Sequence, residues 1–275
     1  MKSAGLFLGI LLAASAASAG SFDFSEYSRL LGRTVKPGGM VNYWGLQAGQ
    51  SALDEVIEAM QKISLDEFAA WPEAERLAFL INAYNARVLQ IISRQRHVLF
   101  RTNGWFQKGL SVRRYDGFFD EIPVRLLGRD RTLDSLEEEL RRYYDEPGVH
   151  MALVKGAKGS PPLRPEAYTA EKLPEQLRDQ TENFLRDLRN FQVSVGKKRI
   201  RLSPVFKELC GDCISRYSDI ITAGDFSPAD RAMLGFIASH VNGATREFLL
   251  TGDYSISWLK FDWMLNEEDP PARAK

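Results

Sequence analysis

The chain has 275 residues, 36 basic and 36 acidic side chains, and is 44% hydrophobic with 11% aromatic residues. That length and apolar content can bury a substantial core, in one large domain or two small ones. The neutral balance argues against a general polyanion binder, because phosphate binding rests on a basic surplus, and no nucleic-acid partner is expected.

The first residues read as an export signal. Lys2 gives a positive start, Ala4 to Ala14 is apolar, and Ala17-Ser18-Ala19 fits a small-x-small cleavage site, so residues 1–19 are expected to be removed. The apolar run is too short to cross a bilayer comfortably, and nothing later is longer, so no stable membrane anchor is expected after cleavage. The mature chain stays nearly neutral. A secreted protein, periplasmic in a double-membraned bacterium, is the expectation. No internal repeat or low-complexity linker interrupts residues 20–275, which points to a single domain.

A short helix is predicted over Ser25 to Leu31, then a glycine-marked loop at Lys36 to Gly39 and an extended piece at Met40 to Trp44. Leu53, Val56, Ile57, Met60 and Ile63 recur at helical spacing and predict an amphipathic helix from Ser51 to Ile63. Ser64 with Glu67 forms a capping-box pattern for a short helix ending at Trp71. Pro72 suits the first position of the longest helix, Pro72 to Gln95, whose buried face carries Leu77, Leu80, Ile81, Tyr84, Val88 and Ile91. Further on, Ile122 to Leu127 reads as a strand, Gly128 to Asp130 as a turn, and Asp134 with Glu137 as the cap of a helix through Arg142.

Val149 to Val154 reads as a second strand, and Leu173 to Leu188 as a helix with Leu177, Phe184, Leu185 and Leu188 inward. Phe191 to Val195 and Ile200 to Leu202 alternate about a turn and predict a hairpin. Ser203-Pro204 and Ser227-Pro228 look like helix caps, and Ile256 to Trp263 like a last strand. Helices outnumber strands and segregate from them, so the expected class is α+β: helix-rich, with a small, mostly antiparallel sheet.

Several blocks carry a family resemblance. "ERLAFLINAYNARVL" (Glu75 to Leu89), "HMALVKGAKGSPPL" (His150 to Leu163), "LSPVF" (Leu202 to Phe206) and "WLKFDWMLN" (Trp258 to Asn266) resemble the bacterial family called domain of unknown function 547. "VNYWGL" (Val41 to Leu46) and "RTLDSLEEELRR" (Arg131 to Arg142) match its weaker blocks, and all six fall in the family's order. The resemblance implies a fold neighbourhood and no established reaction. It also implies departures: the family pattern has cysteines where this chain has Lys155 and Ser160, and a histidine where it has Glu138. A cysteine and a histidine suggest a thiol nucleophile and its base, and this chain has replaced them.

The glycine-rich loop Gly156 to Pro162 could still present Ser160 as a nucleophile, with His150, Lys155 or Glu138 as its base. Pro161 and Pro162 offer no N–H, which excludes a nucleophile elbow whose oxyanion donor follows the serine. The competing reading is a rigid loop. If the strand runs unbroken to Lys155, alternation puts His150 and Lys155 on opposite faces. His150 is then a hydrogen-bonded core residue or a functional one, while His97 and His240 have no partners visible in sequence.

Asn82 and Asn85 interrupt the buried face of the long helix, which is unfavourable unless their hydrogen bonds are met. They are expected to tie down a neighbouring backbone, such as Gly156 to Pro162, with Arg76 and Tyr84 in support. Direct ligand contact is the alternative. Cys210 and Cys213, the only cysteines, are expected to form a local disulfide in an exported protein; redox catalysis is the alternative, and neither a metal nor a cofactor is expected. Three functions are open: a non-catalytic binding protein for a ligand or partner in the cell envelope, a hydrolase or acyl-transfer enzyme using Ser160, or a thiol–disulfide protein.

Overall fold

A computed structural model describes residues 22–100, 110–144, 146–210 and 214–268. Residues 1–19, expected as an export signal, and Cys213 of the expected disulfide lie outside them, as do the side chains of His97 and Cys210.

The amino-terminal half is built around one long helix. Helix α1 (Ser25–Thr34) leads through the short antiparallel pair β1 (Val35–Lys36) and β2 (Met40–Val41) into α2 (Tyr43–Ala48). The extended piece expected at 40–44 stops at Val41, because the Asn42 side chain accepts the Gly45 N–H and starts α2. Then follow α3 (Gln50–Gln61) and α4 (Leu65–Ala70), the latter capped by Ser64 on the Glu67 N–H as the sequence predicts. Helix α5 (Glu73–Phe100) begins just after Pro72, whose carbonyl accepts the Arg76 N–H. Leu77 to Ile92 of α5 is buried on almost every side, Asn82, Asn85 and Gln90 included, so burial extends beyond the single apolar face that the spacing predicts.

The hairpin of β3 (Val124–Leu126) and β4 (Arg129–Arg131) turns through Leu127 and Gly128, both at positive φ. Helix α6 (Leu133–Tyr143) follows. Its cap is Thr132, in reciprocal hydrogen bonds with Ser135, rather than Asp134 with Glu137.

The second core cluster gathers on α9 (Pro228–Ser239). Helix α7 (Leu173–Arg186) links the clusters: Leu173 and Leu177 pack into the first, Phe184 and Leu185 into the second. Leu188, expected inward, lies beyond the end of α7 and is 72% exposed. Strands β5 (Phe191–Ser194) and β6 (Arg199–Leu202) form the predicted hairpin, and β7 (Ser255–Trp258) adds to β6 in parallel. A 3-10 turn over Pro204–Cys210, α8 (Ile214–Tyr217), α9 and α10 (Gly243–Thr251) complete this half. Helix-rich, with small and mostly antiparallel sheets, the fold is α+β. No helix among the described residues is long and apolar enough to cross a membrane.

The last strand was expected to run to Trp263, but it ends at Trp258. Beyond it the chain becomes a strap across the first half. Lys158 N–H donates to Met264 O at 2.7 Å and Gly159 N–H to Asp262 O at 2.9 Å, while Val41 N–H donates to Asn266 O at 2.8 Å. The Tyr43 hydroxyl donates to the Asn266 side-chain oxygen at 2.8 Å, and the Asn266 amide donates to Gly39 O at 3.1 Å. The strap thus sews the 156–160 loop to the β1–β2 turn.

Candidate functional site

Asn82 and Asn85, one turn apart on α5, act as paired clamps. The Asn85 amide donates to Ala152 O at 2.9 Å and accepts the Val154 N–H at 3.0 Å. Asn82 does the same at Tyr168, donating to its carbonyl at 2.8 Å and accepting its N–H at 2.9 Å. Each side chain meets one donor and one acceptor that the irregular backbone would otherwise leave buried and unpaired. The clamped points flank the glycine-rich loop rather than falling within it.

Close approach explains the loop's glycines. Gly156 has φ +66° and packs on Ile92, and a Cβ at Gly159 would lie 2.6 Å from the backbone nitrogen of Asp262 in the strap. Ser160, 5% exposed, sits beneath. Its hydroxyl oxygen accepts the Lys155 N–H at 2.8 Å, and the hydroxyl donates to Pro161 O at 3.0 Å. Both functions of that hydroxyl are committed to backbone. The side chain of Lys155 points elsewhere, into a salt bridge with Glu137, and Glu138 is an exposed residue paired with Arg142 at 2.7 Å.

The segment expected as a strand, Val149 to Val154, is instead a 3-10 turn over Pro147–Met151 followed by irregular chain. The Glu146 side chain accepts the Gly148 N–H, and Pro147-Gly148 favours the turn over extension. Strand alternation therefore does not apply. His150 and Lys155 converge on the same carboxylate, Glu137. Lys155 binds Glu137 Oε2, the Tyr84 hydroxyl donates to that same oxygen at 3.3 Å, and Glu137, His150 and Glu208 each place one donor atom within 4.8 Å of the others.

Electrostatics follow from this crowding. Burial pushes His150 down to about 4, with Arg141 and Lys155 adding to the effect and Glu137 opposing it, so the imidazole is neutral at pH 7. Although Glu208 is exposed as a residue, the crowding around its carboxyl strips water from it and raises it; Lys155 opposes, and the nearby Glu137 carboxylate, which shares a hydrogen bond with it, raises it further. Burial, then the Glu137 charge, lifts the Tyr84 hydroxyl well above its ordinary range. Asp134 is also raised, chiefly by burial.

Glu137 and Glu208 were missed from the sequence. Glu137 was legible: Leu133, Leu136 and Leu140 define the buried face of α6, and position 137 falls on it while 138 falls off. Glu208 carries no such signal, because its 3-10 turn brings it in from far along the chain.

The other candidates lie apart. Arg76 lines a small cleft with Phe68, Glu73, Glu139 and Tyr144, away from the glycine-rich loop. Pro161 is buried and supplies the carbonyl that Ser160 binds. His240 Nδ1 lies 2.8 Å from Phe236 O at the end of α9. A larger cleft, of about 750 Å3, runs between the β1–β2 turn, the loop from Lys158 to Pro165 and the carboxyl-terminal half of α7. Its cations are Lys36, Lys158, Arg164, Arg186 and Arg189, of which Arg164 pairs with Asp179, Arg186 with Glu182 and Arg189 with Asp187.

These features define a helix-rich α+β scaffold carrying a clamped glycine-rich loop beside a buried charged cluster. Residues 68–185 match the family described as protein of unknown function, DUF547. The matched segment runs from α4 into α7 and contains Asn82, Tyr84, Asn85, Glu137, His150, Lys155 and Ser160. The blocks at 41–46, 202–206 and 258–266 fall outside it. No curated protein and no solved structure matches the chain.

Proposed function

We propose that this chain is an exported, non-catalytic binding protein of the cell envelope, whose ligand sits in the cleft between the Lys158–Pro165 loop and α7. The observation that carries this reading is the Ser160 hydroxyl, held by the Lys155 N–H and the Pro161 carbonyl with no base paired to it. A serine so held is a poor nucleophile, since activation requires a base on its hydroxyl. The same loop makes a wall of the cleft of about 750 Å3, a volume that suits a small ligand. Lys36 and Lys158 on its rim hold no ion pair among the described residues, which favours a ligand bearing carboxylate or phosphate. Export rests on Lys2, the apolar Ala4 to Ala14 and the Ala17-Ser18-Ala19 site.

The purified protein should be screened against ester, amide and peptidoglycan-type compounds, for turnover and for thermal stabilisation. Stabilisation without turnover, weakened by Lys158→Ala, is expected. Turnover that Ser160→Ala abolishes would overturn the reading.

A further inference from the structure

We propose that Glu137, His150 and Glu208 bind a divalent transition-metal ion of the zinc class, which cross-links α6 to the Pro147–Met151 and Pro204–Cys210 turns. The donors come from three separate segments, yet lie within 4.8 Å of one another. Zinc–nitrogen and zinc–oxygen bonds are about 2.0–2.2 Å. Donors on one tetrahedral ion therefore sit about 3.4 Å from each other, and side-chain rotations that draw the donors in by about 1 Å close the set.

A second observation comes from the histidine itself. His150 is 5% exposed, its Nδ1 has no hydrogen-bond partner, and a ring nitrogen belongs to the converging set. Burying an imidazole with an unmet nitrogen is unfavourable unless something is bound there.

The rest of the cluster suits a cation between the two carboxylates. Lys155 and Tyr84 both bind Oε2 of Glu137, which fixes the carboxylate's orientation as outer partners do for metal ligands, and an ion replaces the proton of the hydrogen bond that Glu137 shares with Glu208. Lys155 pairs with Glu137 and not with Glu208, so the second carboxylate has no ion pair of its own among the described residues. One imidazole with two carboxylates selects zinc or a neighbouring first-row ion over calcium or magnesium, which take oxygen donors. Because Glu137 and His150 are buried, the ion acts as a cross-link between the two core clusters, independently of any ligand in the cleft.

The test is calorimetric titration of Zn2+ into tag-free, chelator-treated protein, compared with His150→Gln, Glu208→Gln, Glu138→Gln and a Cys210→Ser/Cys213→Ser double variant. One equivalent is expected to bind the wild type, the Glu138 variant and the double cysteine variant. Affinity should fall at least about 100-fold in the His150 and Glu208 variants. Glu208 lies at an exposed position, so its variant reads binding even if the buried His150 variant fails to fold. Zinc should raise the Tm of the wild type and not of Glu208→Gln, and Co2+ should give a ligand-field spectrum without a thiolate charge-transfer band. No saturable binding, binding that Glu208→Gln leaves intact, or binding that disappears with the cysteines would overturn the proposal.

Discussion

The backbone N–H of Lys155 donates to the hydroxyl oxygen of Ser160 at 2.8 Å, closing the glycine-rich loop on itself. With the bond to the Pro161 carbonyl, this makes the serine a clasp. Ser160→Ala removes both bonds and leaves a buried N–H and carbonyl to find other partners. The expected cost is about 1–2 kcal/mol, read as a lower urea midpoint with an unchanged slope. Affinity for a ligand in the adjoining cleft should change by no more than a few-fold.

The α5 clamps should matter more. Asn85→Ala strands the Val154 N–H and the Ala152 carbonyl in the core, at roughly 2–4 kcal/mol for the two groups. Asn85→Asp keeps an acceptor for Val154 but loses the donor to Ala152 and buries a charge, so it should be at least as destabilising. Equilibrium denaturation of both variants checks the order. An Asp variant as stable as the wild type would contradict the described hydrogen bonds.

Two adjacent glutamates should behave oppositely. In metal-free protein Glu137→Gln leaves the half-buried Lys155 ammonium without its carboxylate, which is expected to cost about 3 kcal/mol or more. Glu138→Gln breaks only an exposed pair with Arg142 and should stay within about 0.5 kcal/mol of the wild type. Thermal denaturation of the two variants distinguishes them directly.

Acid stability should carry the signature of His150. Its ordinary value is 6.5, and in the fold it is pushed down to about 4. The fold therefore favours the neutral ring. Its contribution is complete above pH 6.5 and is lost as pH falls through the folded value, amounting to roughly 3 kcal/mol. The groups around it are Glu137 and Arg141 on α6, Lys155 after the turn and Glu208 on the 204–210 turn. Glu208 and Asp134, whose carboxyls are raised, act in the opposite direction, each favouring the fold as pH falls. The measurement is accordingly the difference between chelator-treated wild type and His150→Gln from pH 7 to 4, which should shrink toward low pH.

Much of the fold was legible because it rests on local periodicity. The buried faces of α3 and α5, the Ser64 and Ser227 caps and the β5–β6 hairpin follow from residue spacing alone. The failures fall where local preference met a competing local signal or a distant partner. Val149 to Val154 looks like a strand by composition, but Pro147-Gly148 and the Glu146 side chain wind its start into a turn, and Asn85 holds the remainder without a neighbouring strand. Within the site, the asparagines announced themselves as amides on an apolar face. Glu208, and the strap that accounts for Gly159, are long-range features that no window of sequence displays.

The most direct measurement of the central claim is intact-mass analysis of the protein after exposure to a serine-reactive electrophile such as a fluorophosphonate, with Ser160→Ala beside it. With the hydroxyl held between two backbone groups, no adduct should form at Ser160. A stoichiometric adduct on the wild type that disappears in the variant would contradict the account.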